Sequence, residues 1–250
     1  MKTNYNLYHG DCLEVMQQLI QEGIQVDMVL CDPPYGVSGC EWDKVLPASK
    51  LWELLHQLVK PNGAIVLFGN EPFSSHLRLS NAKHYKYDWK WVKPNATTPS
   101  LAKIQPMRRY EDIMVFYKKQ PTYNPQMSKG KPYKWNSKRS GGEASGIQYK
   151  EDHAIDNQGT RYPTNILEFK QERGLHSTQK PVPLLEFLIK SYTNDDKNEL
   201  VLDFTMGSGS TLIAALNTGR RAIGIELDDT YFQVAKQRIE THEKSLFNLN

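Results

Sequence analysis

Cysteine is scarce in this chain of 250 residues: there are three, Cys12, Cys31 and Cys40, with no C-x-x-C pair and no histidine at ligand spacing. Neither a disulfide framework nor a metal site is therefore expected, and the thiols are read as reduced and partly buried. Long apolar runs are lacking too. No stretch approaches the roughly 20 apolar residues that span a bilayer, and Met1-Lys2-Thr3-Asn4-Tyr5-Asn6 has no signal-peptide core, so a soluble intracellular protein with no membrane partner is expected. Internal repeats are absent. A strong charge of one sign is missing as well, and the formal net charge of +3 permits a polyanionic partner without demanding one.

What is present is the composition of an ordinary globular protein, 39% hydrophobic and 24% charged, at a length that suits one domain carrying an insertion. The apolar run Val26-Asp27-Met28-Val29-Leu30 stops at Cys31-Asp32-Pro33-Pro34-Tyr35. Such a run reads as a buried strand whose end is held rigid, because proline fixes φ and cannot continue a ladder. Strand ends of this kind bind ligands in open α/β sheets, and a carboxylate, a rigid carbonyl and a ring together suit a flat, hydrogen-bonding molecule such as a nucleobase. Taken alone, the tetrapeptide also admits the reading of a plain Pro-Pro turn with a solvated aspartate.

Elsewhere the pattern alternates strand and helix. Residues 6–9 form a short strand, Asp11 caps a helix with an apolar stripe from Leu13 to Ile20, and Pro47 begins a helix that stops at Pro61-Asn62-Gly63. Residues 64–68 read as a strand, 73–79 as a helix, and 85–92 and 110–117 as two strands joined by a polar loop, Lys93 to Arg109. From Lys118 to about Gly174 periodicity fails. Between Lys118 and Lys180 there are about twelve Lys and Arg against about six Asp and Glu. Tyr123, Tyr133, Trp135 and Tyr149 are interleaved with them, so the segment is read as a nucleic-acid face, where cations neutralise phosphates and rings stack on bases. Alternation then returns: helix 181–192, strand 199–204, helix 210–217, strand 221–226, helix 229–240.

The second constellation is Leu200-Val201-Leu202-Asp203-Phe204-Thr205-Met206-Gly207-Ser208-Gly209-Ser210-Thr211, a strand, a glycine turn and a helix start. The turn lets backbone approach a ligand and aims free N–H groups at it. Glu226 ends the next strand about 23 residues beyond Asp203, the spacing of an acid that takes ribose hydroxyls. A ribose-bearing cofactor is implied. A dinucleotide is not, because G-x-G-x-x-G needs glycine where Leu212 stands.

The two constellations together resemble the amino-methylating DNA methyltransferases that use S-adenosylmethionine, in the β-type order with D-P-P-Y before the glycine motif. His176-Ser177-Thr178-Gln179-Lys180-Pro181 and Gly10-Asp11 are further matches, and the resemblance covers most of the chain. It implies a Rossmann-like α/β fold with a mostly parallel seven-stranded sheet, one strand antiparallel, and an irregular target-recognition insertion. The expected divisions are a catalytic half at 1–117, the insertion at 118–175 and the cofactor half at 176–250.

The expected activity is site-specific transfer of a methyl group to the exocyclic amino group of an adenine flipped from duplex DNA. Asp32, Pro33, Pro34 and Tyr35 would be catalytic: Asp32 and the Pro33 carbonyl accept the amino hydrogens, and Tyr35 stacks on the ring. Cofactor contacts fall to Asp11, Cys31, Asp32, His176, Thr178, Lys180, Asp203, Phe204, Met206, Gly207, Ser208, Gly209, Ser210, Thr211 and Glu226. DNA contacts fall to Trp42, Lys93, Arg108, Arg109, Lys129, Lys131, Lys134, Lys138 and Arg139. Cys31 is also read as core, since a cytosine-ring mechanism would need a Pro-Cys pair. The family often has D-P-F-M-G-S-G where this chain has Asp203-Phe204-Thr205-Met206-Gly207-Ser208-Gly209, which puts the backbone contact and aromatic wall of that turn in question.

The same resemblance is compatible with a homodimer, a cognate restriction endonuclease, and a cytoplasmic, nucleoid-associated protein of prokaryotic or phage-encoded origin. The alternatives are a cytosine amino-methyltransferase, an RNA or protein-amide methyltransferase, and a cofactor-responsive DNA-binding protein without catalysis.

Overall fold

Strand β2 (Val26–Cys31) shows how the sheet is built. Met28 and Leu30 point into one apolar layer and Val29 and Cys31 into another, so alternate residues of one strand serve two cores. The computed structural model of the chain describes residues 4–36, 43–137, 153–172, 179–195 and 198–247.

In chain order the N-terminal elements are β1 (Tyr5–His9), α1 (Cys12–Gln21), β2, α2 (Ala48–Leu58), β3 (Val59–Gly69), α3 (Phe73–Ser80), β4 (Tyr85–Thr97) and β5 (Arg108–Phe116). Short strands β6 (Ser128–Lys129), β7 (Tyr133–Ser137), β8 (His153–Asn157) and β9 (Thr160–Arg161) come next, and then β10 (Ile166–Glu168). The chain closes with α4 (Val182–Tyr192), β11 (Leu200–Asp203), α5 (Ser210–Asn217), β12 (Arg221–Glu226) and α6 (Asp229–Phe247).

The main sheet runs β1-β12-β11-β2-β3-β5-β4-β10, and β5 alone is antiparallel to its neighbours. β2 and β11 lie side by side and parallel, with Val201 opposite Met28 and Leu202 opposite Val29. The N-terminal half builds outward from β2 through β3, and the C-terminal half outward from β11 through β12. The carboxyl ends of β2 and β11 therefore meet at the point where strand order reverses, the place where open α/β sheets bind ligands. Helices α1 to α3 cover one face and α4 to α6 the other.

The helix starts follow the sequence. Asp11 accepts the Leu13 N–H at 2.8 Å and caps α1. Gly209 begins α5 at φ +77°, and a Cβ there would lie 3.0 Å from Ile239 Cδ1 on α6, so glycine serves both the turn and the packing.

Four expectations are corrected. The sheet has eight strands rather than seven, because β10 adds itself to the β4 edge. Strand β4 runs on to Thr97 and β5 starts at Arg108, so the polar connection is shorter than Lys93 to Arg109. The second compact unit spans Pro125–Thr164, inside the expected 118–175, with the flanks belonging to the main unit. By itself that second unit holds two short antiparallel pairs, β6 with β9 and β7 with β8, in place of the expected irregular segment. Among the described residues no helix is long and apolar enough to cross a membrane.

Candidate active site

A cleft of about 940 Å³ opens over the ends of β2 and β11. It is lined by Asp32, Pro33, Pro34 and Tyr35 from the first constellation and by Asp203 to Ser208, Ser210, Thr211 and Glu226 from the second. Gly10 and Asp11 also line it. Two motifs about 170 residues apart in sequence thus line one cleft.

The corner after β2 is held by hydrogen bonds. Tyr35 donates its phenol to Asp32 Oδ1, and Lys180 donates its ammonium to Asp32 Oδ2. The Tyr35 ring is 5.0 Å from that of Phe73. Thr205 Oγ1 donates to the Asp32 backbone carbonyl at 3.0 Å, so the glycine turn is tied directly to the corner. The Cys31 thiol lies 3.0 Å from the same hydroxyl.

Behind Asp32 stands a buried set of charges that the sequence does not reveal. Glu111 on β5 pairs with Lys93 on β4 through Oε1, and its Oε2 lies 3.4 Å from Lys180 Nζ. Burial raises the Asp32 carboxyl above the usual range against the pull of Lys180, and Glu111 raises it further. Burial opposes the Lys180 charge, but the Asp32 and Glu111 carboxylates outweigh it and hold the ammonium above its ordinary value. For Glu111 burial is likewise overcome, here by Lys180 and Lys93, so its carboxyl is held low.

The glycine turn has its own brace. Glu226 Oε2 accepts the Gly207 N–H and Oε1 accepts the Asp228 N–H, each at 2.9 Å. Burial raises the Glu226 carboxyl. Asp203 is pushed up to about 6 by burial, opposed by hydrogen bonds from Thr211 and the Thr205 N–H. Gly224 on β12 leaves room for the turn, since a Cβ there would lie 2.3 Å from Met206 Sδ.

The expected site residues fall into groups. Asp11, Lys180, Phe204, Met206, Gly207, Ser208, Ser210 and Thr211 line the cleft with the corner. Two cofactor assignments shift: Cys31 is 1% exposed beneath the cleft while Cys12 lines it, and Gly209 serves packing against α6. Lys93, assigned to DNA, is buried in the cleft with its ammonium on Glu111, so it presents no free cation to a phosphate. Arg108 and Arg109 are exposed at the start of β5. In the second unit Lys129, Lys131 and Lys134 are exposed, and Lys134 pairs with Asp156 at 3.0 Å. Trp42, Lys138, Arg139, His176 and Thr178 lie outside the described residues. Glu111 and Gln179 also line the cleft; Gln179 lies in the motif from His176 to Pro181, whereas Glu111 is not marked as a functional group by the sequence pattern.

Residues 26–237 match the family model described as DNA methylase. The chain belongs to that family. The methylase is 26% identical to the DNA adenine methyltransferase YhdJ of Escherichia coli (strain K12), over 94% of this chain and 82% of the relative. It is 25% identical to the type II methyltransferase M.HpaI of Haemophilus parainfluenzae, over 86% of this chain and 68% of that one. Among solved structures it resembles M1.HpyAVI in complex with S-adenosylmethionine, with a TM-score of 0.65 and 28% identity, covering 94% of this chain and 99% of the other. The methylase fold and its DNA substrate are thereby those anticipated from the two motifs. Cys12 and Cys31 fit this chemistry as bystanders, because burial pushes the Cys12 thiol up to about 12 and raises that of Cys31 well above its usual value.

Proposed function

We propose that this methylase transfers a methyl group from S-adenosylmethionine to the exocyclic amino group of an adenine turned out of duplex DNA. The observation that carries the reading is the Thr205 to Asp32 bond, which fixes the glycine turn and the Asp32-Pro33-Pro34-Tyr35 corner as two walls of one cleft. The donor set suits the cofactor. Glu226 offers a carboxylate to ribose hydroxyls beside the turn, Asp11 and Asp203 add negative charge toward a cationic sulfonium, and the buried Gln179 Oε1 has no hydrogen-bond partner among the described residues. When bound, S-adenosylmethionine supplies an electrophilic methyl group.

The chain's own groups prepare the nucleophile. An aromatic amino nitrogen is poor because its lone pair is delocalised into the ring. Asp32 and the Pro33 carbonyl accept its two hydrogens, which lets the nitrogen pyramidalise and aims its lone pair into the cleft. Tyr35 covers the ring and offsets part of the few kcal/mol of unstacking. The exposed cations of the second unit, Lys129 and Lys131, supply phosphate contacts. Adenine is favoured over cytosine by aspartate at the first motif position and by the likeness to an adenine methyltransferase.

The test is methyl transfer from radiolabelled cofactor to unmethylated plasmid DNA, followed by digestion and identification of the modified nucleoside. N6-methyladenine is expected from the native chain and none from Asp32→Ala, with cofactor binding retained. N4-methylcytosine would overturn the choice of base, and transfer surviving in Asp32→Ala would overturn the mechanism.

A further inference from the structure

Each carboxylate oxygen of Asp32 already carries one donor before any base arrives. Tyr35 holds one carboxylate oxygen and the Lys180 ammonium holds the other. An amino group that docks on Asp32 competes with those donors for the carboxylate's negative charge. The ammonium is also the wrong neighbour for the reaction, because positive charge grows on the amino nitrogen as the methyl group arrives. It lies in the wall at 7% exposure, so it cannot simply swing into water.

A second place is already built. Glu111 Oε2 is buried and makes no hydrogen bond, yet it lies only 3.4 Å from Lys180 Nζ. The other oxygen of Glu111 is held by Lys93, whose ammonium sits 5.0 Å from the Trp91 ring and keeps the carboxylate fixed and charged. Lys180 Nζ lies 5.1 Å from the Phe68 ring, and that aromatic face remains within reach of a small displacement. A shift of about half an ångström toward Glu111 therefore converts a long contact into a charge-assisted hydrogen bond of ordinary length and loosens the ammonium's hold on Asp32 Oδ2. The four charges, Asp32, Lys180, Glu111 and Lys93, balance in either arrangement, so the exchange moves no net charge into or out of the protein.

We propose that Glu111 is a positioning residue for methyl transfer, the second seat that draws Lys180 toward itself and loosens its hold on Asp32 when the target amino group enters. The inference rests on the proposed docking of that amino group on Asp32. The groups facing Asp32 are Tyr35 on its own corner, Lys180 before α4, Glu111 and behind it Lys93 on the β4–β5 pair, and Asp203 and Cys31 at the ends of β11 and β2.

The experiment is a double-mutant cycle with Glu111→Gln and Lys180→Met, read by plasmid methylation and by calorimetric binding of S-adenosylmethionine. Glu111→Gln is expected to lower kcat at least tenfold while the cofactor Kd changes less than twofold. It should also move the acid limb of the pH profile to lower pH, because a negative charge beside Asp32 is lost. In the Lys180→Met background the same substitution should change kcat less than twofold, since no ammonium remains to be drawn away. Losses that simply multiply, or an unchanged kcat in Glu111→Gln, would overturn the proposal. If Glu111→Gln does not fold, Glu111→Asp serves, because it keeps the partner of Lys93 while withdrawing the seat, and wild-type kcat in that variant would overturn the proposal equally. Full activity in Asp32→Ala would instead refute the docking on Asp32, so the two failures are distinguishable.

Discussion

The Thr205 hydroxyl donates to the backbone carbonyl of Asp32 at 3.0 Å, joining the turn after β11 to the corner after β2 across the switch point of the sheet. This is the position where the glycine motif departs from the more usual family pattern, and the hydroxyl does what an aromatic side chain could not. Thr205→Val keeps the shape and removes the donor, leaving a recessed carbonyl unsatisfied at a cost of about 1–3 kcal/mol. The expected outcome is a fall in kcat of about tenfold and a Tm lower by a few degrees, with Thr205→Ser close to wild type on both. Equal behaviour of the valine and serine variants in thermal unfolding and in turnover would refute the tie.

Tyr35 combines two contributions, a hydrogen bond to Asp32 and a ring available to a base. They separate by substitution. Tyr35→Phe keeps the ring and should cost only a few-fold in kcat/KM, whereas Tyr35→Ala loses base stacking worth about 1–3 kcal/mol and should cost roughly 10- to 100-fold. Steady-state methylation of plasmid DNA measures both.

Glu226 braces the glycine turn through both oxygens. In Glu226→Gln one of the two N–H donors faces an amide NH2, and the acceptor offered to the cofactor ribose weakens. The cofactor Kd should rise about tenfold or more by calorimetry, while affinity for DNA in the absence of cofactor stays the same.

Much of this arrangement was legible in the sequence because it depends on local signals. Prolines end β2, Asp11 caps α1, and glycines open α5, each at a position that periodicity already marks as an element boundary. Glu111 was not legible. It sits in Arg108-Arg109-Tyr110-Glu111-Asp112, which reads as the solvated start of a strand, yet Glu111 and Asp112 are 7% and 2% exposed. Its burial is created by long-range pairing: β4 places Trp91 opposite Glu111, and the segment before α4 brings Lys180 alongside. The role of Lys93 is hidden for the same reason, since a lysine in a polar stretch carries no mark of the carboxylate it meets. β10 is illegible because three residues joining the edge of a sheet leave too short a pattern to read.

Asp203 yields a pH prediction. Its folded pKa is raised from 3.8 to about 6, with burial the main cause. The folded state therefore holds the proton more tightly than the unfolded chain, so the contribution to stability is present in full below about pH 4 and is lost as pH rises to about 6. The shift corresponds to about 3 kcal/mol. Asp203→Asn removes the titration while keeping an oxygen for the Thr205 N–H. Its stability relative to wild type should rise between pH 4 and pH 7 in denaturant titrations, and a difference that stays flat over that window would contradict the assignment.

The second unit gives the last prediction, which separates charge that binds from charge that holds the fold. Lys129 and Lys131 are exposed, and removing one phosphate-binding cation should reduce the slope of log K against log salt by about 0.9. Arg161 differs because its guanidinium is already engaged. It donates to Asn157 Oδ1 at 2.6 Å and to the Lys131 carbonyl, and it lies 4.6 Å from the Tyr133 ring centroid. Lys129→Ala and Lys131→Ala should therefore lower DNA affinity most at low salt with an unchanged Tm. Arg161→Ala should lower the resistance of residues 125–164 to proteolysis and weaken DNA binding at all salt concentrations alike. A reduced salt slope in Arg161→Ala with unaltered proteolysis would place that guanidinium on the DNA instead.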